Sequence, residues 1–217
     1  MARDTPLGFP AHTLPYRCGE FTTLSAVSSV RGFPRTLFRS LHRLAGKGSP
    51  SMRFALYDRR AAVLYAHRWA YGRNPAFYDY EHLGGDCTNF ASQCIYAGSG
   101  VMNFTPTFGW YYIDPDQKAP AWTGVPYLYN FLVREEKTEG PAARPCELGD
   151  LRPGDLIQLS FDGENFRHTP VVVSVGWPVT PENVLVAAHS YDADNRPLST
   201  YSYQDIRFLK IFGVWHP

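Results

Sequence analysis

The sequence predicts an α+β fold in which N-terminal helices pack on a C-terminal antiparallel sheet. Two segments before residue 100 place apolar residues at helical spacing. After residue 150 the pattern changes to short apolar runs separated by turn dipeptides, which is typical of strands. Helices followed by a series of strands indicate this class rather than an alternating βαβ fold.

The first helix is predicted over residues 57–71, where alanines and larger apolar residues form one broad face between charged residues. Gly72 and Asn74-Pro75 end it.

The second helix is predicted from the stretch GGDCTNFASQC. Gly84-Gly85 supplies a turn, Asp86 can cap the helix, and Cys87 is then its first residue. An apolar stripe runs along it at i, i+3, i+4, i+7 and i+8: Cys87, Phe90, Ala91, Cys94 and Ile95. Gly98 and Gly100 end this helix.

The middle of the chain is predicted to hold a long aromatic loop and a short helix. The loop covers residues 101–122, and the helix covers residues 123–133 with Thr123 or Gly124 as its cap. Residues 134–150 are polar and are expected to be exposed. Four strands are predicted after them, the first two joined by a hairpin at Asp162-Gly163: 156–161, 167–175, 184–189 and 206–214.

Composition limits the classes of function. The chain has 217 residues, of which 44% are hydrophobic and 19% charged, so it can bury a substantial core as a globular protein. A net charge of +1 gives no indication of binding to nucleic acid or to an anionic membrane. No apolar run approaches the roughly 20 residues that a membrane-spanning helix needs. No signal peptide is visible, so we assign no cellular location: both a cytoplasmic protein and one exported by another route stay open.

The first 51 residues differ from the rest of the chain. They carry seven Lys and Arg against two Asp and Glu, whereas residues 52–217 carry 14 against 18. They are also rich in Ser, Pro and Gly, and strongly patterned sequence begins only after Met52. We expect either a disordered basic arm or an extension that the native protein lacks, with Met52 as its start. Residues 52–217 are expected to form one domain.

Four cysteines, Cys18, Cys87, Cys94 and Cys146, do not form a disulfide framework. On one helix, Cys87 and Cys94 lie roughly 10 Å apart along the axis, beyond the reach of about 7 Å between Cα atoms that a disulfide allows. Their spacing also does not suit zinc, whose cysteine ligands are usually two to four residues apart. We therefore expect no metal site and no cofactor.

The two cysteines differ in position. Cys94 lies mid-helix on the apolar stripe, where packing is the expected role. Cys87 lies at the helix start, where unpaired backbone N–H groups and the helix dipole favour a thiolate and can hold an oxyanion. A small residue that packs well after Gly-Gly would look the same, so local features leave nucleophile and packing open for Cys87.

A nucleophilic thiol needs a base, and the base needs an orienting group. His168 is the best candidate for the base because it lies on a predicted strand just after a hairpin. His189 ends the next strand and Asp192 follows it, so either could orient the His168 ring. Each of the three could instead be an ordinary polar residue at the surface.

The order of cysteine on a helix start, histidine on a strand and polar residue on the next strand resembles that of papain-like folds. The detailed match is to a bacterial group, the putative amidase domain family, over residues 57–214. It rests on YDRRAAVLYAHRWAYGRNPAFYDYEHLGGDCTNFASQC, AWTGVPYLYNFL, GDLIQLSFDGENFRHTPVVVSV and AAHSYDADNRPLS. This group is in turn similar to NlpC-type and CHAP-type cell-wall hydrolases.

The resemblance implies a set of roles. It places an Asp86-Cys87 pair at the helix start, with Cys87 as the nucleophile, and assigns His168 as the base. It puts His189 in the third position, with Asp192 as the alternative. One departure follows His168: Thr169-Pro170 places a proline in a predicted strand, so the strand is expected to lie at an edge or to be bulged there.

The implied activity is metal-independent hydrolysis of an amide bond by a cysteine amidase or peptidase, with peptidoglycan peptides as the expected substrate and a monomer as the expected state. Asp86, Trp110 and Trp122 are expected to contact the substrate, the two tryptophans as a groove wall; packing in the core is the alternative for those rings. Two other functions stay open, a binding module without turnover and an effector that deamidates a host protein.

Overall fold

The computed structural model describes residues 51–217. The expectations for residues 1–50, a basic arm or a non-native extension, lie outside this range. The described part is an α+β domain with an open antiparallel sheet of eight strands. The α+β class predicted from the sequence is therefore confirmed.

Four helices precede most of the sheet. Their bounds are α1 Arg59–Trp69, α2 Cys87–Ser99, α3 Pro120–Thr123 and α4 Val125–Leu132. Asp58 caps α1, because its carboxylate accepts a hydrogen bond from the Ala61 N–H at 2.9 Å. Gly100 ends α2 in the left-handed conformation, with φ of 69°. The helix predicted over 123–133 is α4, and Gly124 is its N-cap as expected; the extended backbone of Gly124 separates it from the short helix α3.

Eight strands follow in the order of the chain: β1 Arg53–Ala55, β2 Gly140–Cys146, β3 Leu156–Ser160, β4 Phe166–His168, β5 Val171–Val175, β6 Val184–Ala188, β7 Ala193–Pro197 and β8 Asp205–His216. The long strand β8 organises one half of the sheet, since it pairs with β2 on one side and with β3 and β1 on the other. The other half continues from β3 through β5 and β6 to β7.

Three strands were missed and one was divided. Residues 134–150 were expected to be exposed, but β2 occupies 140–146 and its first four residues are buried. Its two prolines hid it from a pattern search, and they are tolerated because β2 pairs only with β8 at an edge. The strands β1 and β7 lack clear apolar alternation. The predicted strand 167–175 is two strands, β4 and β5, because Thr169-Pro170 interrupts pairing between them.

The sheet has a core on each face. The helices cover one face, and the α2 stripe of Phe90, Cys94 and Ile95 packs with Leu156, Val171, Ala187 and Leu209. Neighbouring residues point to the opposite face, where Ile157, Leu159, Val172 and Val186 form a smaller cluster under Leu198. The helix α2 is thus fixed against the centre of the sheet, which holds its first residue in place.

The start of α1 is fastened to the sheet by a buried carboxylate. Asp155 accepts hydrogen bonds from the Arg59 guanidinium at 2.8 Å and from the backbone N–H of Ile211 at 2.9 Å. Burial raises the pKa of Asp155, and the positive charge of Arg59 opposes that rise. Within residues 51–217, no helix is long and apolar enough to cross a membrane.

Replacing Cys94 with Ala is expected to destabilise the fold without touching the site at the start of α2. The Cys94 side chain is fully buried in the main core, so its loss leaves a small void worth about 1 kcal/mol. Urea unfolding measures the change. Cys146→Ala, at a partly exposed position, is the matched control and should cost less. A loss at Cys94 no larger than at Cys146 would contradict the packing role.

Candidate active site

The turn before α2 presents Cys87 to the sheet. Gly84 and Gly85 have φ of 101° and 102°, a region that side chains rarely adopt. A Cβ on Gly85 would also lie 3.0 Å from the Ser190 hydroxyl, so the position needs glycine for space as well. Cys87 follows as the first residue of α2, with its side chain 7% exposed.

The Cys87 sulfur lies against the backbone that carries His168. Its nearest polar contacts are the carbonyl of Arg167 at 3.8 Å and the hydroxyl of Thr88 at 3.7 Å. The Thr88 hydroxyl is in turn 3.4 Å from that of Thr169. These contacts to both neighbours of His168 place the start of α2 directly beside β4.

Cys87 and His168 open onto one cavity of about 500 Å³. Its other lining residues come from the Gly-Gly turn, the β3–β4 hairpin, β4, and the segment from Ser190 to Ser202. Arg167 and Arg196 are the charged residues of this lining, which contains no carboxylate among the described residues. A cavity of this size accommodates part of a peptide.

Burial raises the pKa of the Cys87 thiol above its ordinary value. Hydrogen bonds from the backbone of Thr169 and from Thr88 act in the opposite direction but are smaller. The position of Cys87 at a helix start predicted a lower pKa for this thiol. Desolvation outweighs that effect because the sulfur has little contact with water, so the resting group is a thiol.

Burial also lowers the pKa of His168, to about 4, and the positive charge of Arg196 adds to the effect. The ring is therefore neutral at pH 7 and has a lone pair for accepting a proton. Its ring lies 6.3 Å from that of Phe161 and 5.6 Å from that of Tyr201, measured between centroids. Within residues 51–217, no side chain forms a hydrogen bond with it.

His189 is engaged elsewhere. Its Nδ1 lies 2.5 Å from a carboxylate oxygen of Asp86, and its Nε2 donates to the carbonyl of Trp69 at 2.9 Å. The ring stacks on Phe90 with centroids 4.0 Å apart. Both nitrogens are thus occupied, and neither is available to orient His168 as the sequence argument expected.

Asp192 is also turned to another partner. Both of its carboxylate oxygens accept hydrogen bonds from Arg73, each at 3.0 Å, at an exposed position. Arg73 is also 3.5 Å from Glu81. Glu81 accepts a hydrogen bond from the Ser190 hydroxyl, which itself accepts one from the Asp86 N–H at 2.8 Å. Asp192 therefore belongs to a network of polar contacts next to the Gly-Gly turn.

Asp86 precedes α2, but its carboxylate forms no capping bond to the helix. Besides His189, it accepts hydrogen bonds from the Tyr80 N–H at 2.9 Å and the Asn89 side chain at 2.8 Å. Asp86 is fully buried, which corrects the expectation that it contacts substrate. It holds the loop between α1 and α2, the start of α2 and the end of β6 together.

Trp110 and Trp122 are fully buried in the main core, which corrects the expectation that they form a groove wall. Their indole N–H groups donate to the Ser92 hydroxyl and to the Asn89 side chain at 3.0 and 2.8 Å. The two rings lie 4.9 Å apart. The long loop therefore folds back onto α2, and its aromatic residues anchor it.

Sequence reasoning missed the segment that completes the cavity. Ser190 and Tyr191, with φ of 58° and 76°, adopt the left-handed region and turn the chain beside the Gly-Gly turn. Arg196 and Tyr201 form the wall near His168. The stretch AAHSYDADNRPLS contains Ser190, Tyr191 and Arg196, but it does not show that they line a cavity, because their placement depends on how β7 turns back along β6.

The chain belongs to the putative amidase domain family, whose sequence model matches residues 56–212. It is also 35% identical over 152 residues to the uncharacterised protein YhbB of Bacillus subtilis (strain 168). That match covers 69% of this chain and 45% of YhbB, so the chain spans less than half of that relative. No solved structure gives a significant match.

Removing the Asp86 carboxylate is expected to be strongly destabilising. Asp86→Ala leaves a buried His189 and two donors unpaired, a loss of about 3–5 kcal/mol. Asp86→Asn should cost less, because an amide can still accept from Tyr80 and donate to Nδ1 of His189. Chemical denaturation measures both variants. Asp192→Ala is the control, since removing an exposed pair costs less than about 1 kcal/mol; an equal loss there would contradict this order.

Stability is expected to fall as the pH drops from about 6.5 to 4, in part because of His168. Its pKa is about 4 in the folded protein against roughly 6.5 when unfolded, so the unfolded chain binds the extra proton in this range. The linked loss is roughly 3 kcal/mol. Urea unfolding across this pH range measures it, with His168→Gln as the reference. If the difference in unfolding free energy between the wild type and His168→Gln does not change with pH, His168 is not buried and neutral in the folded protein.

Proposed function

We propose that this protein is a cysteine-dependent amide hydrolase in which Cys87 is the nucleophile and His168 the general base. The observation that carries the proposal is the position of Cys87: the first residue of a buried helix, opening with His168 onto one cavity. Membership of a putative amidase domain family supports amide hydrolysis as the reaction. A nucleophile on a helix start and a base on a following strand also support a papain-like interpretation of the fold.

The resting protonation states favour concerted activation over a preformed ion pair. The neutral His168 ring takes the proton of the Cys87 thiol as the sulfur attacks the substrate carbonyl carbon. The carbonyl π electrons move to oxygen. Backbone N–H groups of the first turn of α2 lack intrahelical acceptors and can stabilise this oxyanion.

The tetrahedral intermediate then collapses. The C–N bond breaks, and the protonated His168 donates its proton to the departing amine. The product is a thioester between the acyl group and Cys87. Water attacks that thioester while His168 accepts its proton, and the second collapse returns the proton to the Cys87 sulfur and releases a carboxylic acid. No oxidant, reductant or further reactant is needed.

The Asp86–His189 pair acts here by positioning the nucleophile rather than the base. Asp86 is bonded to Cys87 in the chain, so fixing its carboxylate and its N–H fixes the start of α2. Asp192 contributes one step further away, through Arg73. This arrangement gives a Cys–His dyad whose second member is held by the walls of the cavity.

Peptidoglycan peptides are the proposed substrate. The similarity of the family to NlpC-type and CHAP-type cell-wall hydrolases supports this choice, and a cavity of about 500 Å³ accommodates part of a stem peptide. The scissile bond would lie within such a peptide or at its link to muramic acid.

Replacing Cys87 with Ala is expected to abolish release of fragments from purified muropeptides, because no other group can form the thioester. Mass spectrometry of the digest identifies the cleaved bond directly. Cys94→Ala is the matched control and should retain activity, since its sulfur is buried in the core. Full activity in Cys87→Ala would refute the nucleophile.

Two further outcomes separate the alternatives. Labelling of Cys87 by a thiol-reactive probe with no cleavage of any wall fragment would favour another amide substrate, such as a protein glutamine. Binding of muropeptides that is equal in the wild type and in Cys87→Ala, without turnover in either, would favour a binding module.

A further inference from the structure

Arg196 is a fixed cation in the wall of the cavity. Its Nε donates to the Thr200 hydroxyl at 2.8 Å, and its Nη2 donates to the Thr200 carbonyl at 3.0 Å. The guanidinium also lies 3.8 Å above the centre of the Tyr201 ring. Three contacts thus hold the group before any ligand binds, and an ordered arginine loses less entropy on binding than a mobile one.

The charge of Arg196 has no counterpart within residues 51–217. No carboxylate forms an ion pair with it in this part of the chain, and the cavity lining contains none. Arg167 differs, because it lies 3.3 Å from Asp162 and its side chain is 67% exposed. An arginine has five N–H donors, and Thr200 takes two of those of Arg196, so donors remain that suit the two oxygens of a carboxylate.

This uncompensated charge acts directly on the proposed base. Arg196 disfavours the protonated form of His168. The proposed reaction nevertheless passes through an imidazolium, which must hold a proton until the amine departs. A negative group bound at Arg196 would remove that repulsion at the step where His168 becomes charged.

We propose that Arg196 binds a carboxylate of the substrate, and that the enzyme therefore selects amide bonds next to a free carboxylate in acidic peptides. A carboxylate is the expected anion because it is the anionic group that adjoins amides in peptides. The location of the scissile bond rests on the proposed function. The anion site itself rests on Arg196 and the composition of the cavity.

The first test compares two alkylating reagents of similar shape, iodoacetate and iodoacetamide, on the full chain. The rate of modification of the peptide containing Cys87 is followed by mass spectrometry, which separates it from the other cysteines. The ratio of the two rates cancels changes in the reactivity of the thiol itself. We expect Arg196→Gln to lower the iodoacetate to iodoacetamide ratio about tenfold, and Arg196→Lys to retain part of it.

Arg167→Gln is the matched control, because it removes the other cation of the cavity lining. Its ratio should change less than about twofold, since an exposed and already paired charge steers ligands weakly. A ratio unchanged in Arg196→Gln, or equally reduced in Arg167→Gln, would overturn the proposal.

The second test does not depend on the reactivity of Cys87. In Cys87→Ala, NMR titration of the His168 ring is carried out with N-acetylglycine and with the neutral N-acetylglycinamide. We expect the carboxylate to raise the pKa of His168 by roughly one unit and the amide to leave it unchanged. The effect should disappear when Arg196→Gln is added. No shift with the carboxylate at saturating concentration would overturn the proposal.

The two proposals fail in different ways. If Cys87 is not the nucleophile, Cys87→Ala will hydrolyse the substrate fully, whereas the pKa shift of His168 caused by the carboxylate will persist. Failure of the anion site would leave hydrolysis dependent on Cys87 but equally fast on free and amidated carboxylates. A preference for the free carboxylate that Arg196→Gln removes and Arg196→Lys partly restores would support both.

Discussion

The buried contact between Asp86 and His189 is the constraint on which the site depends. It joins residues 103 positions apart, the one before Cys87, the proposed nucleophile, and the one after β6. The His189 ring is held by the Trp69 carbonyl and by stacking on Phe90, so it also ties the end of α1 to α2. A buried polar group is costly unless every donor and acceptor is satisfied. Nearly all polar atoms of Asp86 and His189 have hydrogen-bond partners only in this arrangement. The start of α2 therefore has one position relative to the sheet.

Burial rather than charge sets the resting state of the proposed dyad. Desolvation raises the pKa of Cys87 and lowers that of His168, so both groups are neutral before substrate arrives. In the proposed reaction charge develops only after substrate binds, in a cavity where two arginines provide the fixed charge. This explains how a helix start can favour a nucleophile without producing a resting thiolate. It also gives Arg196 a role in the same electrostatic balance, through the repulsion that it exerts on a protonated His168.

The aromatic residues of the long loop serve packing rather than recognition. Trp110 and Trp122 contact each other with tilted rings and donate hydrogen bonds to polar side chains of α2. Ser92 and Asn89 are therefore buried on a face of α2 that the apolar stripe alone would leave exposed. Most residues of α2 are therefore buried, including Cys87 at its start.

The sequence by itself determined the α+β class, the two main helices and the interruption of the strand at Thr169-Pro170. These follow from local periodicity and from glycine and proline geometry, which act over a few residues. Only the tertiary structure decided which polar residues meet. His189 and Asp192 lie near His168 in the predicted order of strands, yet Asp86 and Arg73 bind them, because the loop between α1 and α2, which ends in the Gly-Gly turn, contacts both residues. Three other features depend on contacts between segments far apart in the chain: the edge strand with prolines, the burial of the tryptophans and the charge of Arg196 in the cavity. No local pattern encodes such contacts.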